Sequence, residues 1–306
     1  MEYVLETDAL SKQYKHFRAL DGLSMHVPKG AIYGFVGKNG AGKTTLIRLI
    51  CGLQHPTSGS YTLYGEKSGG SADGMALARR RIGAVVETPS IYAGMTAEEN
   101  LRQQYLILGL PDFSGIPELL ALVGLSDTGK KRARNFSLGM RQRLGIAIAL
   151  AGNPDFLVLD EPVNGLDPQG IVEMRELILR LNREKQITVL ISSHILDELS
   201  RLATHYGFID RGHMVKEMSA KELMTACRKC IRVEVTDTKV LALVLDGLGL
   251  EYTVWTETEA DIYGEIGVTE LILRLAERGC EVKNIEKRDE SLESYYMRLV
   301  GGERHA

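Results

Sequence analysis

The stretch Gly37-Lys38-Asn39-Gly40-Ala41-Gly42-Lys43-Thr44-Thr45 constrains this 306-residue chain more than any other. It follows the apolar run Ala31-Ile32-Tyr33-Gly34-Phe35-Val36, which predicts a buried strand. It precedes Leu46-Ile47-Arg48-Leu49-Ile50, which predicts the opening of a helix. Strand, glycine-rich turn, Lys-Thr and helix in that order form the P-loop arrangement. The glycines let consecutive backbone N–H groups turn inward as an anion nest, with no Cβ to crowd a phosphate. The helix adds its positive N-terminal end. In this geometry Lys43 reaches the β- and γ-phosphates and the Thr44 hydroxyl ligates Mg²⁺. The expected nucleotide-binding set is therefore Gly37, Asn39, Gly40, Ala41, Gly42, Lys43, Thr44 and Thr45.

The rest of the composition narrows the setting. The length predicts about two domains and ample material for a core. A formal net charge of −3 lacks the strong basic excess of a nucleic-acid binder, so no nucleic-acid partner is expected. The N-terminus has no signal-peptide layout. The longest apolar run, Leu144 to Ala151, is far short of the roughly 20 residues that span a bilayer. A cytoplasmic protein that reaches a membrane only through a partner is expected. The four cysteines do not make a disulfide framework. Cys227 and Cys230 form a C-x-x-C with no second ligand pair, and are read as structural rather than as half a zinc site.

Along the chain, residues 3–7 and 23–27 predict short strands, separated by a polar segment, 10–17. Tyr14, or failing it Phe17, is a candidate to stack on a purine. Residues 69–74 predict a flexible loop. Ile82 to Val86 predicts a buried strand ending at Glu87. A helical pattern runs from Thr96 to about Leu122, opened by the capping-box pair Thr96 and Glu99. Ser137 is placed to cap a largely buried helix, a second site where an anion would be favoured. Phe156 to Leu159 predicts a strand delivering Asp160 and Glu161 to its carboxyl end, where α/β sheets put their chemistry. Asp160 suits Mg²⁺ or its water shell, and Glu161 suits orienting or deprotonating an attacking water. Asp167-Pro168 predicts a helix start. A further strand, Ile187 to Ile191, delivers His194, a potential donor to a γ-phosphate.

With these pieces in this order, residues 3–218 resemble the ATPase subunit of an ATP-binding cassette (ABC) transporter. The resemblance rests on Gly37–Thr45, Ser137-Leu138-Gly139-Met140-Arg141-Gln142, Phe156–Glu161, Gly165-Leu166-Asp167 and His194. It implies an α/β fold of the P-loop NTPase ABC type: a mixed sheet, an antiparallel β subdomain, and a helical subdomain at about 88–152. It also implies a head-to-tail homodimer with an integral-membrane permease subunit. ATP would lie between the P-loop of one copy and Ser137, Gly139 and Gln142 of the other, with Asp167 beside the seam. The family's usual glutamine loop is absent, because no Gln occurs between His55 and Arg102 and Glu87 follows the strand. With the S-x-G-M-x-Q signature, this is similar to the bacitracin and lantibiotic exporter branch. That branch implies antibiotic-resistance export, with Glu87 near the Mg²⁺ water shell.

Residues 219–306 read as βαββαβ plus a helix from Glu290 to Val300, an accessory α+β domain of ferredoxin-like type. The expected activity is ATP hydrolysis by Glu161, His194 and Lys43, with ATP and Mg²⁺ as cofactors. The alternatives are a soluble ABC ATPase acting on the ribosome and a nucleotide-gated docking module.

Overall fold

In the computed structural model, residues 2–227, 229–289 and 291–301 are described. They divide into two compact units, 1–220 and 221–306.

The first unit is built around the helix that follows the P-loop. Leu46, Ile47, Leu49 and Ile50 are buried and occupy one broad side of this helix, α1 (Lys43–Ile50), which two layers cover. One layer is an antiparallel sheet of β1 (Tyr3–Tyr14), β2 (Phe17–Pro28), β4 (Ser58–Leu63) and β5 (Glu66–Lys67), ordered β2-β1-β4-β5. The other contains β3 (Ile32–Val36), β6 (Ile82–Val85), β7 (Phe156–Asp160), β8 (Thr188–Ser193), β9 (His205–Asp210) and β10 (His213–Ser219). Its order is β10-β9-β3-β8-β7-β6, parallel from β9 to β6 with β10 antiparallel at the edge. Leu5, Met25 and Val27 from the first sheet and Phe35, Phe156 and Val158 from the second meet Leu46 and Ile47 in one core. That arrangement holds the turn at 37–42 between two rigid layers.

Three elements differ from the sequence expectation. The two short strands and their polar linker are one long hairpin, β1 and β2, closed by the pair Tyr14 and Phe17. Left-handed backbone at Ala9 and Lys15 and repeated register shifts interrupt its alternation. The supposed loop at 69–74 instead opens α2 (Ala72–Arg80), whose N-terminus is capped by the Ser71 hydroxyl at Gly74 N–H. The single helical stretch from Thr96 is two helices, α3 (Ala97–Ile107) and α4 (Ile116–Leu122), interrupted by a segment holding Gly109, Pro111 and Gly115. The capping box of Thr96 and Glu99 is present. Then come α5 (Leu138–Leu150), capped by Ser137, α6 (Pro168–Lys185), capped by Asp167, and the short α7 (Leu196–Ser200).

Beyond α8 (Ala220–Ala226), the second unit contains β11 (Lys229–Val235), α9 (Thr238–Leu248), β12 (Glu251–Val254), β13 (Glu259–Tyr263), α10 (Val268–Ala276), β14 (Val282–Asp289) and α11 (Leu292–Gly301). Its sheet, ordered β12-β13-β11-β14, is antiparallel throughout. One apolar cluster joins Val233, Ile262 and Val235 to Leu241 and Leu245 of α9 and Leu271 and Leu275 of α10. Buried Asp261 receives two hydrogen bonds from the Arg232 guanidinium at 2.6 Å, and others from Trp255 Nε1 at 2.9 Å and the Ser294 hydroxyl of α11 at 3.3 Å. Glu290, the expected start of the last helix, lies outside the described residues. Cys227 is half-buried and Cys230 buried, and neither forms a disulfide.

Candidate nucleotide site

The parallel strands β3, β8, β7 and β6 are neighbours in the sheet, so the segments leaving their carboxyl ends converge. They carry Gly37, His194, Glu161 and Glu87.

The P-loop fits its place because two of its glycines cannot be replaced without collision. A Cβ on Gly37 would stand 2.6 Å from the Ile209 carbonyl oxygen. One on Gly42 would stand 2.5 Å from the Ala19 carbonyl oxygen, at a φ of +113° that side chains avoid. Gly42 is also the N-cap of α1 and supplies no side-chain cap, so the first N–H groups of that helix point into the loop region. Lys38, Asn39 and Gly40 are exposed, Ala41 is buried, and Thr44 and Thr45 are half-buried.

Lys43 is buried. Its Nζ donates to the carbonyl oxygens of Gly37 at 2.6 Å and Lys38 at 3.3 Å, and lies 3.3 Å from Glu161 Oε1. The other Glu161 oxygen is 2.8 Å from His194 Nδ1. That pair is close enough for charge attraction but is not aligned as a hydrogen bond, which leaves the buried Nδ1 without an aligned partner. Asn164 Nδ2 also approaches Glu161 Oε2, at 3.4 Å. Glu161 therefore sits between a cation and an imidazole, in reach of both.

Its backbone is strained, with φ +48°, and two hydrogen bonds hold it. The Glu161 N–H donates to the Ser192 carbonyl oxygen at 3.2 Å and to the Ser192 hydroxyl at 3.0 Å. Asp160 and Ser192 are register partners on β7 and β8. Lys43, Glu161 and His194 thus stand in reach of one another, and Asp160 joins them through Ser192. Ser192 and Asn164, beside Glu161, and Arg48, beside Glu87, are neighbours that sequence reasoning did not select. Ser192 had one available signal, its place two residues before His194 at a strand exit.

The remaining predicted residues make other contacts on the first unit. Tyr14 is half-buried, its hydroxyl donating to Gln54 Oε1 and Lys12 Nζ standing 5.3 Å from its ring centre. Across the hairpin Phe17 is 58% exposed and presents the freer ring. Ser137 is exposed, its hydroxyl accepting from Met140 N–H at 3.2 Å, and Gly139 is half-buried. Gln142, by contrast, is buried in α5. Asp167 caps its own helix, accepting from Gly170 N–H at 2.9 Å. Glu87 pairs with Arg48 of α1. Its loop rests on α5, where a Cβ on Gly145 would stand 2.6 Å from Pro89.

Residues 20–164 match the family model described as ABC transporter. Over 305 residues, 99% of both chains, the sequence is 41% identical to the bacitracin transport ATP-binding protein BcrA of Bacillus licheniformis. The chain belongs to the ATP-binding subunits of ABC transporters. This ABC ATPase is also 41% identical to the lantibiotic transport ATP-binding protein SrtF of Streptococcus pyogenes, over 70% of this chain and 90% of that one. Its fold matches a dimeric, post-hydrolysis ATP-binding cassette bound to ADP and Pi, with a TM-score of 0.63 over 71% of this chain and 98% of the other, at 23% identity. As an ABC ATPase it binds adenine nucleotide and hydrolyses ATP in the service of transport. Among the described residues no helix is long and apolar enough to cross a membrane.

Proposed function

We propose that this ABC ATPase energises export of an antibiotic or antimicrobial peptide of the bacitracin or lantibiotic class. It works as a head-to-tail homodimer on the cytoplasmic face of the membrane, docked to a separate permease. The observation that carries the reading is the match to a bacitracin transport ATPase along 99% of both chains. The glutamate at position 87 agrees with it. The relatives named here are transport proteins, which favours this reading over a ribosome-acting ATPase.

Each copy contributes the P-loop and takes Ser137 and Gly139 from its partner; both are at or near the surface, as a contact in trans requires. Gln142 is buried and supports the signature helix from within. Lys43 holds the β- and γ-phosphates, exchanging Glu161 for them. Glu161 is the base for the attacking water, and His194, beside it, senses the γ-phosphate. Asp167 steadies the seam through the start of α6. Tyr14 or Phe17 covers the purine.

Mg²⁺ suits the oxygen donors available, the Thr44 hydroxyl and the Asp160 carboxylate, with Glu87 acting through water. Magnesium is held by one or two carboxylates together with substrate phosphates. Bound there, it neutralises charge on the β- and γ-phosphates. The second unit is an accessory domain, with no part in the nucleotide chemistry.

The test is deletion of this chain in its own cells. Sensitivity to bacitracin or a lantibiotic should rise. Wild-type chain should restore resistance and Glu161→Gln should not, and a polytopic membrane protein should co-purify. Unchanged sensitivity to both classes would overturn the substrate assignment. Glu87→Gln is expected to keep ATP binding and weaken resistance.

A further inference from the structure

Glu87 leaves the carboxyl end of β6 with φ +59°, a left-handed conformation that a non-glycine residue keeps only when its surroundings hold it. Its carboxylate is ion-paired with the Arg48 guanidinium. Arg48 stands four residues beyond Thr44 on α1, so the two share one face of the helix, about one turn apart. It is the single residue of the run Leu46 to Ile50 that is not buried. The pair therefore ties the loop that carries the extra negative charge to the helix that opens at the phosphate site. Unpaired, a carboxylate there would repel a triphosphate in a region where water screens only part of the field.

We propose that Arg48 is a positioning residue that neutralises Glu87 and fastens its loop to α1, so that Glu87 does not oppose the incoming triphosphate. The proposal rests on the reading of residues 37–45 as the nucleotide site. It makes the glutamate variant a two-residue device, in which position 48 must be cationic because position 87 is anionic. The side chains are 35% and 55% exposed, so the pair adds little to fold stability and its effect is read in binding. A plainer role exists for Arg48: a cation in the last turn of α1 complements the helix dipole. That role is indifferent to residue 87, which separates the two.

The experiment is a double-mutant cycle on the full chain: wild type, Arg48→Ala, Glu87→Gln and the double variant, with Arg48→Lys as the conservative control. Binding of mant-ATP is titrated by fluorescence at low ionic strength, in EDTA and again with Mg²⁺. In EDTA, Arg48→Ala should weaken binding about fivefold when Glu87 is present and less than about twofold in Glu87→Gln. Arg48→Lys should stay within about twofold of wild type, and the gap should narrow as salt is added. With Mg²⁺ the penalty should shrink, since the metal offsets the same repulsion. An equal loss in both backgrounds, or no loss in either, would overturn the proposal. If wild-type chain binds no mant-ATP at all, the nucleotide reading fails and the proposal goes with it.

Discussion

The Ser192 hydroxyl donates to Asp160 Oδ1 at 2.5 Å and accepts the Glu161 N–H at 3.0 Å. One fully buried oxygen thus orients the carboxylate assigned to the metal and steadies the strained backbone of the carboxylate assigned to the water. Ser192→Ala removes both bonds and leaves a buried carboxylate short of a donor, at a cost of about 1–3 kcal/mol. We expect a lower Tm and a kcat reduced by about tenfold or more, measured by thermal shift and steady-state ATP hydrolysis. Ser192→Thr keeps the hydroxyl and should recover most of the rate.

Glu161→Gln keeps the shape of the side chain but removes both its basicity and its charge beside Lys43. ATP hydrolysis should fall by about 10²–10⁴-fold. ATP binding should persist, because Lys43 loses a competitor for the phosphates. Size-exclusion chromatography with ATP should show a stable dimer for this variant and a transient one for wild type. Near-normal turnover would remove Glu161 from the role of base.

Cys51 follows α1, and burial pushes its thiol up to about 12, with Arg79 pulling down and Asp160 adding to the rise. Only the thiolate reacts with maleimide, so at pH 8 the reactive fraction is about 10³-fold below that of a free cysteine. Peptide mass spectrometry should find Cys51 unlabelled in the folded chain and readily labelled in urea. Rapid labelling of Cys51 itself in the native protein at pH 8 would contradict its raised thiol value.

Tyr33 donates to Glu217 Oε1 at 2.6 Å, and the same carboxylate accepts from His26 N–H at 2.8 Å. Burial first, and then the Glu217 charge, hold the Tyr33 hydroxyl well above its ordinary range. A phenol whose folded value exceeds its unfolded value, about 10, contributes stability that is present below that pH. The contribution is lost as the pH rises past it. The Tm of wild type should therefore drop progressively as the pH rises above about 10. Tyr33→Phe should start about 1 kcal/mol less stable at neutral pH and show a shallower alkaline fall.

Periodicity and short-range chemistry carried most of the first unit. The P-loop, the strand ending in Asp160, and the caps Ser137 and Asp167 each rely on residues within a few positions of one another. Failures came where local signals conflict with the tertiary result. Bulges hide the continuity of β1 and β2, and Gly74 disguises the first turn of α2, although Ser71 caps it. Arg48 and Glu87 lie 39 residues apart and Asp160 and Ser192 are 32 apart. The sheet order brings the second pair together, and the packing of α1 against the sheet brings the first; one sequence states neither.

The phosphate loop is closed from outside by residues far from it in the chain. Ile209 and Ala19 crowd Gly37 and Gly42, and Gly212 N–H donates to the Ala41 carbonyl at 2.9 Å. A ribosome that has made residues 37–45 has therefore not yet made a nucleotide pocket. The growing chain must emerge beyond residue 212 and let β9 dock beside β3 before ATP finds a formed loop. Until then ATP has no formed loop to stabilise.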